Sequence, residues 1–290
     1  MITAKDVAAL RARTGAGMGD CKKALEESGG DQEKAIDILR TKGMMKAEKR
    51  AGRTAAEGQI VTWLSDDRTV GVMIELNSET DFVARNEEFV ALAKLVAAHI
   101  GMDTTLEGVA EVGADHALLN KQWSHDKSLT LAEVVKGAAA KTGENVSLRR
   151  VARFTTTGTI GSYLHFNGKL AALVEITGAK GASAVALGNS VAEHVVAGTP
   201  TVAVAVRKEE VNPDVVAREK TIYAAQAKES GKPEAIVEKM VAGRLDKYFK
   251  EVTLLEQPWV RDESKSIGQL VKETPGADVR RFVRFQMGEG

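Results

Sequence analysis

Two stretches of the chain, one hundred residues apart, decide the fold. Residues 58–64 read GQIVTWL and residues 158–164 read GTIGSYL, while residues 74–76 read IEL and residues 174–176 read VEI. From Gly58 the apolar residues recur with a period of two, which is typical of a β-strand, and a polar turn precedes the second segment. The repeat therefore predicts two strand hairpins of the same design.

A helical pattern follows each hairpin, but at different distances. Residues 96–99 (VAAH) match residues 191–194 (VAEH), so the offset between the copies has fallen from 100 to 95. The first copy thus carries five additional residues between its second strand and its helix, within residues 77–86 (NSETDFVARN). An insertion in only one copy of a duplicated scaffold indicates that this segment acts on something.

The whole pattern predicts an α+β protein with a duplicated core, in which each copy is a strand hairpin backed by a helix. Five parts are expected along the chain. They are a three-helix docking module at residues 1–52, a first core copy at 53–142, a second core copy at 143–206, a protruding antiparallel helical hairpin at 207–249, and a C-terminal return to the core at 250–290.

Residues 1–52 are expected to form three short helices around a thin core. Thr3 is the predicted N-cap of the first helix, Asp20 is expected to open the second, and Asp31 is the predicted N-cap of the third. Residues 43–57, which are rich in Lys, Arg, Ala and Gly, are interpreted as a linker. Because such a small module buries little surface, docking to a partner is its expected use.

The helical hairpin is expected within residues 211–249, with a turn at Ser230-Gly231-Lys232-Pro233. Two antiparallel helices joined by four residues cannot bury both of their apolar faces alone. The hairpin is therefore expected either to pack on the core or to pair with a second copy of the chain, and the sequence leaves a homodimer through residues 211–249 as an open alternative.

Composition limits the classes of function. The 290 residues include 40 basic and 40 acidic side chains, so the chain lacks the positive field that drives non-specific nucleic-acid binding, and no direct nucleic-acid contact is expected. The single cysteine, Cys21, fits a reducing compartment. No apolar run reaches the roughly 18 residues of a membrane span, and a helical pattern begins almost directly after Met1-Ile2. A cytoplasmic protein without membrane contact or targeting peptide is expected.

The sequence offers no constellation for catalysis, cofactor binding or metal binding. Residues 167–170 (NGKL) lack the first glycine and the hydroxyl residue of a phosphate loop. The five histidines show no ligand spacing, and one cysteine cannot build a zinc site. His99 and His194 occupy equivalent helical positions in the two copies and are predicted to be structural. We therefore expect no enzyme activity, no cofactor and no metal.

Two interpretations of the insertion are open. In the first, Thr80 is an N-cap, and Phe82 extends the core face of the following helix, seven residues before Phe89. In the second, Asn86 caps that helix, Asp81 and Phe82 lie in the loop ahead of it, and Phe82 projects into solvent. An exposed aromatic side chain beside a carboxylate is typical of a docking surface.

Two long motifs carry a family resemblance. Residues 10–25 (LRARTGAGMGDCKKAL) resemble the N-terminal signature of bacterial translation elongation factor Ts, and residues 80–86 (TDFVARN) are similar to its second signature. Further similar segments extend the resemblance nearly from end to end. It implies a nucleotide-exchange factor for elongation factor Tu, a GTPase that carries aminoacyl-tRNA, rather than an enzyme.

The resemblance also implies roles for particular residues. The element formed by Thr80, Asp81, Phe82 and Val83 would press into the GTPase near its magnesium site. By motif position Met18 and Lys22 would dock on the nucleotide domain, and His165 would contact another domain of the partner. The hairpin at 211–249 resembles the dimerisation coiled coil of the family.

Two other classes of function are weighed against this one. A small NTPase is disfavoured because the phosphate loop is missing from the sequence. A ribosome- or RNA-associated adaptor without exchange activity, built on the N-terminal module, is disfavoured by the zero net charge. The adaptor is the more credible of these two alternatives.

Overall fold

The computed structural model describes residues 2–229 and 233–289. The predicted turn at Ser230-Gly231-Lys232-Pro233 therefore lies, apart from Pro233, outside the described residues. Helices and strands are mixed along the chain, and the predicted α+β class is confirmed. None of the helices in these two ranges combines the length and the apolar character that a membrane crossing requires.

The helices are α1 (Ala4–Thr14), α2 (Met18–Glu27), α3 (Gln32–Glu48), α4 (Asp81–Ala84), α5 (Glu87–Gly101), α6 (Leu131–Thr142), α7 (Ala182–Ala197), α8 (Pro213–Lys228), α9 (Glu234–Val252) and α10 (Ile267–Lys272). The strands are β1 (Glu57–Leu64), β2 (Val70–Ser78), β3 (Gly108–Glu111), β4 (Ser147–Thr155), β5 (Thr159–Leu164), β6 (Leu170–Thr177), β7 (Pro258–Trp259), β8 (Asp262–Ser266) and β9 (Asp278–Gln286). Short 3-10 helices lie at Ala117–Asn120, Lys208–Glu210 and Leu254–Glu256.

The strands form three sheets, with the orders β1-β2-β4-β3, β5-β6-β9 and β7-β8. The chain divides into two compact units. The first contains the residues up to Val61, Ile74–Ala152 and the end of the chain from Gln286, and the second contains Thr62–Met73 and Arg153–Phe285.

In the first unit, α1, α2 and α3 enclose a small core, as predicted. Its buried members are Val7, Leu10, Cys21, Ala24, Leu25 and Ala35. Thr3 caps α1 in a capping box with Asp6, and Asp31 caps α3, so both predicted N-caps are confirmed. The thin core agrees with a module that folds mainly by covering one face of each short helix.

Two predictions for this module were wrong. Helix α2 begins at Met18 rather than at Asp20, because Gly17 takes the extended N-cap conformation. Asp20 therefore lies in the first turn, where a carboxylate interacts favourably with the helix dipole. The expected linker at 43–57 begins too early, because α3 continues to Glu48. Its last turns pack on α6, where a Cβ added to Gly43 would lie 2.9 Å from Ala140 Cβ.

In the second unit, β5 and β6 pair antiparallel with Tyr163 opposite Ala172, and α7 covers this hairpin. Helix and strand approach so closely that a Cβ on Gly161 would lie 2.1 Å from the carbonyl carbon of Gly188. Only glycine fits at this crossing, because the facing atoms are backbone. The strand hairpin backed by a helix is therefore present in the second copy as the sequence predicts.

Helices α8 and α9 pack against each other around buried Ala227, Val237 and Val241. The segments that flank the pair meet, since Val204 N donates to Val252 O (2.9 Å) and Leu254 N donates to Ala205 O (2.9 Å). The pair is thus an insertion whose two ends lie side by side.

The correspondence between the copies continues beyond residue 206. Glu75 is fully buried and accepts a 2.6 Å hydrogen bond from Arg150 Nε of β4. Its counterpart Glu175 is also fully buried and accepts a 2.6 Å hydrogen bond from Arg281 Nε of β9. The neighbouring arginines complete a pair in each copy, with Arg149 NH1 3.5 Å from Glu75 Oε1 and Arg280 NH1 3.7 Å from Glu175 Oε1. These arginine pairs neutralise the buried carboxylates, which is the condition for burying a charge.

The two helical histidines are buried, so their predicted structural role is confirmed. His99 Nδ1 accepts a hydrogen bond from Ser124 N (3.3 Å), and His194 Nδ1 accepts one from Val260 N (3.2 Å). His194 Nε2 also pairs with Gln257 Oε1 (2.9 Å). Burial lowers the pKa of both imidazoles below the ordinary value, because the apolar surroundings disfavour the charged form.

Candidate functional site

The insertion folds as one isolated helical turn, α4, followed by the separate helix α5. Thr80 caps α4, its hydroxyl accepting a hydrogen bond from Val83 N (3.4 Å). Asn86 caps α5, its side-chain oxygen accepting from Glu88 N (2.9 Å) and Phe89 N (3.4 Å). Both of the proposed N-caps exist, because the helix is interrupted between them.

This interruption decides the direction of Phe82. Asn86 has an extended conformation (ψ 132°), so the helical register of Phe89 does not continue back to Phe82. Phe89 is 3% exposed and belongs to the core, whereas Phe82 is 83% exposed. The interpretation of Phe82 as a core residue was therefore wrong, and its projection is confirmed. Its expected place in a loop was wrong as well, because Asp81 and Phe82 lie in α4.

A reciprocal pair of carboxylates holds the start of the turn. Glu144 Oε2 accepts hydrogen bonds from Glu79 N (3.1 Å) and Thr80 N (3.0 Å), while Thr80 Oγ1 donates to Glu144 Oε1 (2.5 Å). In return, Glu79 Oε1 accepts from Asn145 N (2.6 Å). Hydrogen bonds to ionised acceptors are the stronger kind, so the backbone ahead of Phe82 is fixed to the segment that follows α6. We call Glu79, Thr80, Glu144 and Asn145 the carboxylate clasp.

The end of the turn is held as well. Gln59 Nε2 donates to Ala84 O (2.9 Å), and this bond ties the last residue of α4 to β1. Ser78 Oγ donates to Thr80 O (3.0 Å) at the end of β2. Because hydrogen bonds fix both ends of a single turn, the exposed Phe82 is presented on a rigid support.

Asp81 and Val83 complete the turn. Asp81 Oδ2 lies 3.1 Å from Arg85 NH2, one turn later; the Arg85 side chain is largely exposed and that of Asp81 is partly exposed. An exposed ion pair of this kind contributes only about 0–1 kcal/mol. Asp81 can therefore exchange Arg85 for another partner at little cost, while Val83 is half-buried beside it.

Met18 and Lys22 lie one turn apart on α2, in the same unit as α4. Met18 is the first residue of the helix and is exposed, and Lys22 is exposed with its ammonium group 3.9 Å from Glu26 Oε1. An exposed methionine beside a lysine presents an apolar contact and a positive charge on one helix face. The two residues form a surface of their own, carried by a different element from Phe82.

His165 lies in the second unit, at the turn between β5 and β6. His165 N donates to Leu170 O (2.8 Å), and the ring lies 4.5 Å from the ring of Phe166 and 6.3 Å from that of Tyr163. Phe166 is 93% exposed, and sequence reasoning missed it. The repeat offers a signal that could have found it, because the first copy has Asp66 at the equivalent turn position.

Within residues 2–229 and 233–289, no group of three or more His, Cys, Asp or Glu side chains is arranged to hold a metal ion. Phe82 on α4 and Phe166 on the β5–β6 turn present instead exposed aromatic side chains on hydrogen-bonded turns. Such an arrangement can insert into another molecule, since exposed aromatic side chains on rigid supports are typical of binding hot spots.

Comparison with known proteins identifies the relatives of the chain. The family model described as Elongation factor TS matches residues 79–289. The chain is 45% identical to elongation factor Ts of Clostridium botulinum (strain Alaska E43 / Type E3), over 100% of this chain and 94% of that protein. It is 45% identical to the protein of that name from Clostridioides difficile (strain 630), over 100% and 93%, and 42% identical to that of Aquifex aeolicus (strain VF5), over 99% and 98%.

Proposed function

The chain belongs to the elongation factor Ts family of translation elongation factors, and we propose that it accelerates the release of GDP from elongation factor Tu in the cytoplasm. The observation that carries the proposal is the 83% exposure of Phe82 on a turn whose two ends are hydrogen-bonded. A phenylalanine that is exposed to water lacks the favourable free energy of burial, and it gains that free energy when it is buried in a partner.

The proposed mechanism is displacement rather than bond chemistry. A GTPase holds its nucleotide through phosphate-loop amides, a lysine and a bridging Mg²⁺. Phe82 enters the GTPase between side chains and moves the segment that holds the ligand shell of the metal. Asp81 leaves Arg85 and competes for groups that position the phosphate loop. No catalytic group of this chain takes part, so the chain acts as an exchange factor and not as an enzyme.

The energetics require more than one contact. A 10⁴-fold faster release corresponds to about 5.5 kcal/mol of barrier, at about 1.4 kcal/mol per factor of ten. Full burial of one phenylalanine contributes only about 2–3 kcal/mol. The remainder comes from docking of the N-terminal module through Met18 and Lys22 and of the β5–β6 turn through His165. Phe166 joins this second contact, because it is more exposed than Phe82 and packs on the His165 ring.

Docking must discriminate between the states of the GTPase. A factor that binds the loaded and the empty GTPase equally well does not shift the equilibrium between these two forms, however tightly it binds. The exchange factor binds the empty form more tightly, and by linkage it weakens nucleotide binding by the same factor. Phe82 supplies part of the difference between the two forms, and the Met18, Lys22 and His165 contacts supply the remainder because they fit the empty form better than the loaded one.

Stopped-flow release of a fluorescently labelled GDP from elongation factor Tu tests the proposal. Phe82→Ala is expected to slow the stimulated release at least tenfold, because it removes the displacing side chain. The matched control is Met102→Ala, which truncates another exposed apolar side chain of the same unit and is expected to leave the rate unchanged. Equal rates for Phe82→Ala and the wild type would show that the proposed displacement does not occur.

A further inference from the structure

A cleft of about 330 Å³ lies in the first unit, between the three-helix module and α6. It is lined by the end of α1, the start of α2, the second half of α3 and one face of α6. This volume falls at the small end of the range for ligand pockets, which is about 300–1,000 Å³. The proposed exchange mechanism makes no use of it.

Part of the lining is aliphatic. Ile36, Leu39 and Met44 of α3 are half-buried at the cleft, and Ala16 and Ala140 face the same space. None of the lining residues is aromatic. A nucleobase is normally recognised by stacking on an aromatic ring, so this lining suits an aliphatic body better than a base.

The charges on the lining are unbalanced. Six of the lining residues are basic and two are acidic, which gives 6 − 2 = 4 excess positive charges. Four of the basic side chains already have acidic partners, which pair as Arg13 with Glu33, Arg40 with Glu133, Lys42 with Glu27, and Lys46 with Asp20.

Two lysines remain at the cleft. In the described part of the chain, neither Lys23 of α2 nor Lys141 of α6 has an ion pair or a hydrogen bond from its side chain. The methylene stem of Lys141 lies along Gly15, with Cδ and Cε each 3.8 Å from the place where a Cβ would stand. An ammonium group is a compact point charge that pairs well with a small anion such as a carboxylate.

We propose that this cleft binds a small aliphatic carboxylate, whose anionic end pairs with Lys23 and Lys141 and whose chain packs on Ile36, Leu39 and Met44. Octanoate, an eight-carbon chain that ends in a carboxylate, is the probe that we choose for this site. The site is independent of the exchange activity proposed above.

Isothermal titration calorimetry of the full chain with octanoate, below its micelle concentration, tests the site. One molecule is expected to bind per chain, and the affinity of hexanoate, heptanoate and octanoate is expected to rise roughly fourfold per methylene. Octan-1-ol, which has the same chain without the charge, is expected to bind at least tenfold more weakly. The Lys23→Gln, Lys141→Gln double variant is expected to lose affinity for octanoate by the same factor.

Two glycine substitutions show whether octanoate binds at this cleft or elsewhere on the chain. Gly137 lines the cleft, and a Cβ there meets no atom within 4 Å, so Gly137→Leu fills the space without a clash at its first carbon. Gly243 has equally open surroundings on α9, in the other unit, so Gly243→Leu is the matched control. Octanoate binding is expected to fall at least tenfold in Gly137→Leu and to stay unchanged in Gly243→Leu.

Three results would overturn the assignment. They are absence of octanoate binding to the wild type, equal binding by Gly137→Leu, and equal affinity for octan-1-ol. Circular dichroism of each variant separates loss of the site from loss of the fold. Methyl resonances of Ile36, Leu39 and Met44 that do not shift on titration would place any observed binding elsewhere and would also contradict the site.

Discussion

Removing the carboxylate of Glu144 tests whether the turn that carries Phe82 must be held in place. Glu144 accepts three hydrogen bonds from Glu79 and Thr80, and two of their donors are backbone amides. Glu144→Gln keeps the shape of the side chain but removes its charge, and Glu144→Ala removes every acceptor. Neither substitution touches Phe82 itself.

The magnitude follows from these bonds. A hydrogen bond to a charged group contributes about 1.5–3 kcal/mol, and a neutral one contributes about 1 kcal/mol. Glu144 is half-buried, so the upper values do not apply in full. Glu144→Gln is expected to reduce the free energy of unfolding by about 1 kcal/mol. Glu144→Ala, which leaves two amides without an acceptor, is expected to reduce it by about 3 kcal/mol.

The functional effect is expected to follow the same order. Hydrogen exchange of the Glu79 and Thr80 amides should accelerate from wild type through Gln to Ala, and stimulated GDP release should slow in that order. Glu111→Ala, an exposed carboxylate on β3, is the control and should change neither. If the Glu79 and Thr80 amides lose their protection in Glu144→Ala while stimulated GDP release stays as fast as in the wild type, the carboxylate clasp does not position Phe82.

Three further experiments test other parts of the structure. Phe166→Ala is expected to weaken binding to the GTPase about tenfold, measured by calorimetry, without changing the melting temperature; unchanged affinity would remove the β5–β6 turn from the interface. The folded-state pKa values of His99 and His194 are lowered by burial, so the unfolded chain binds more protons, and the free energy of unfolding should fall as pH drops below about 6.5. Urea titrations of the His99→Gln, His194→Gln double variant should show a flatter dependence between pH 7 and 5, and an equal slope would contradict this. Gly161→Ala places a Cβ 2.1 Å from the backbone of α7 and should lower the free energy of unfolding by about 3 kcal/mol. Gly243→Ala, in an open helical position, should raise it by about 0.5–1 kcal/mol. Similar urea midpoints for the two variants would contradict the close approach of strand and helix.

The duplicated hairpin could be predicted from the sequence because strand period and repeat offset are local signals. The caps Thr3 and Asp31 were predictable for the same reason, since a short polar side chain ahead of an apolar pattern has few other roles. The start of α2 was not predictable. Gly17 is the N-cap through its backbone conformation alone, and it has no side chain that could mark this position as a cap in the sequence.

At the candidate site, two N-caps were predictable, but the local pattern could not decide between them. Both caps are present, because the helix is interrupted at Arg85 and Asn86, and the local sequence pattern cannot show an interruption of two residues. The carboxylate clasp could not be predicted either, since Glu144 lies 64 residues from Thr80 along the chain. Phe166 was missed because an aromatic residue in a short turn has no periodicity to mark it as exposed.

The continuation of the repeat to β9 depended on contacts rather than on sequence identity. The motifs Leu148-Arg149-Arg150 and Val279-Arg280-Arg281 are short, and the α8–α9 insertion changes their spacing. Their equivalence becomes clear only because each neutralises the same buried carboxylate of its own copy, Glu75 or Glu175.

The affinity of the chain for nucleotide-free and for GDP-bound elongation factor Tu, measured side by side by calorimetry, tests the central claim most directly. The wild type should bind the empty form at least a hundredfold more tightly. In Phe82→Ala this ratio should fall at least tenfold, while the free energy of unfolding stays within about 0.5 kcal/mol, as for other surface substitutions. An unchanged ratio in a folded Phe82→Ala variant would contradict the account.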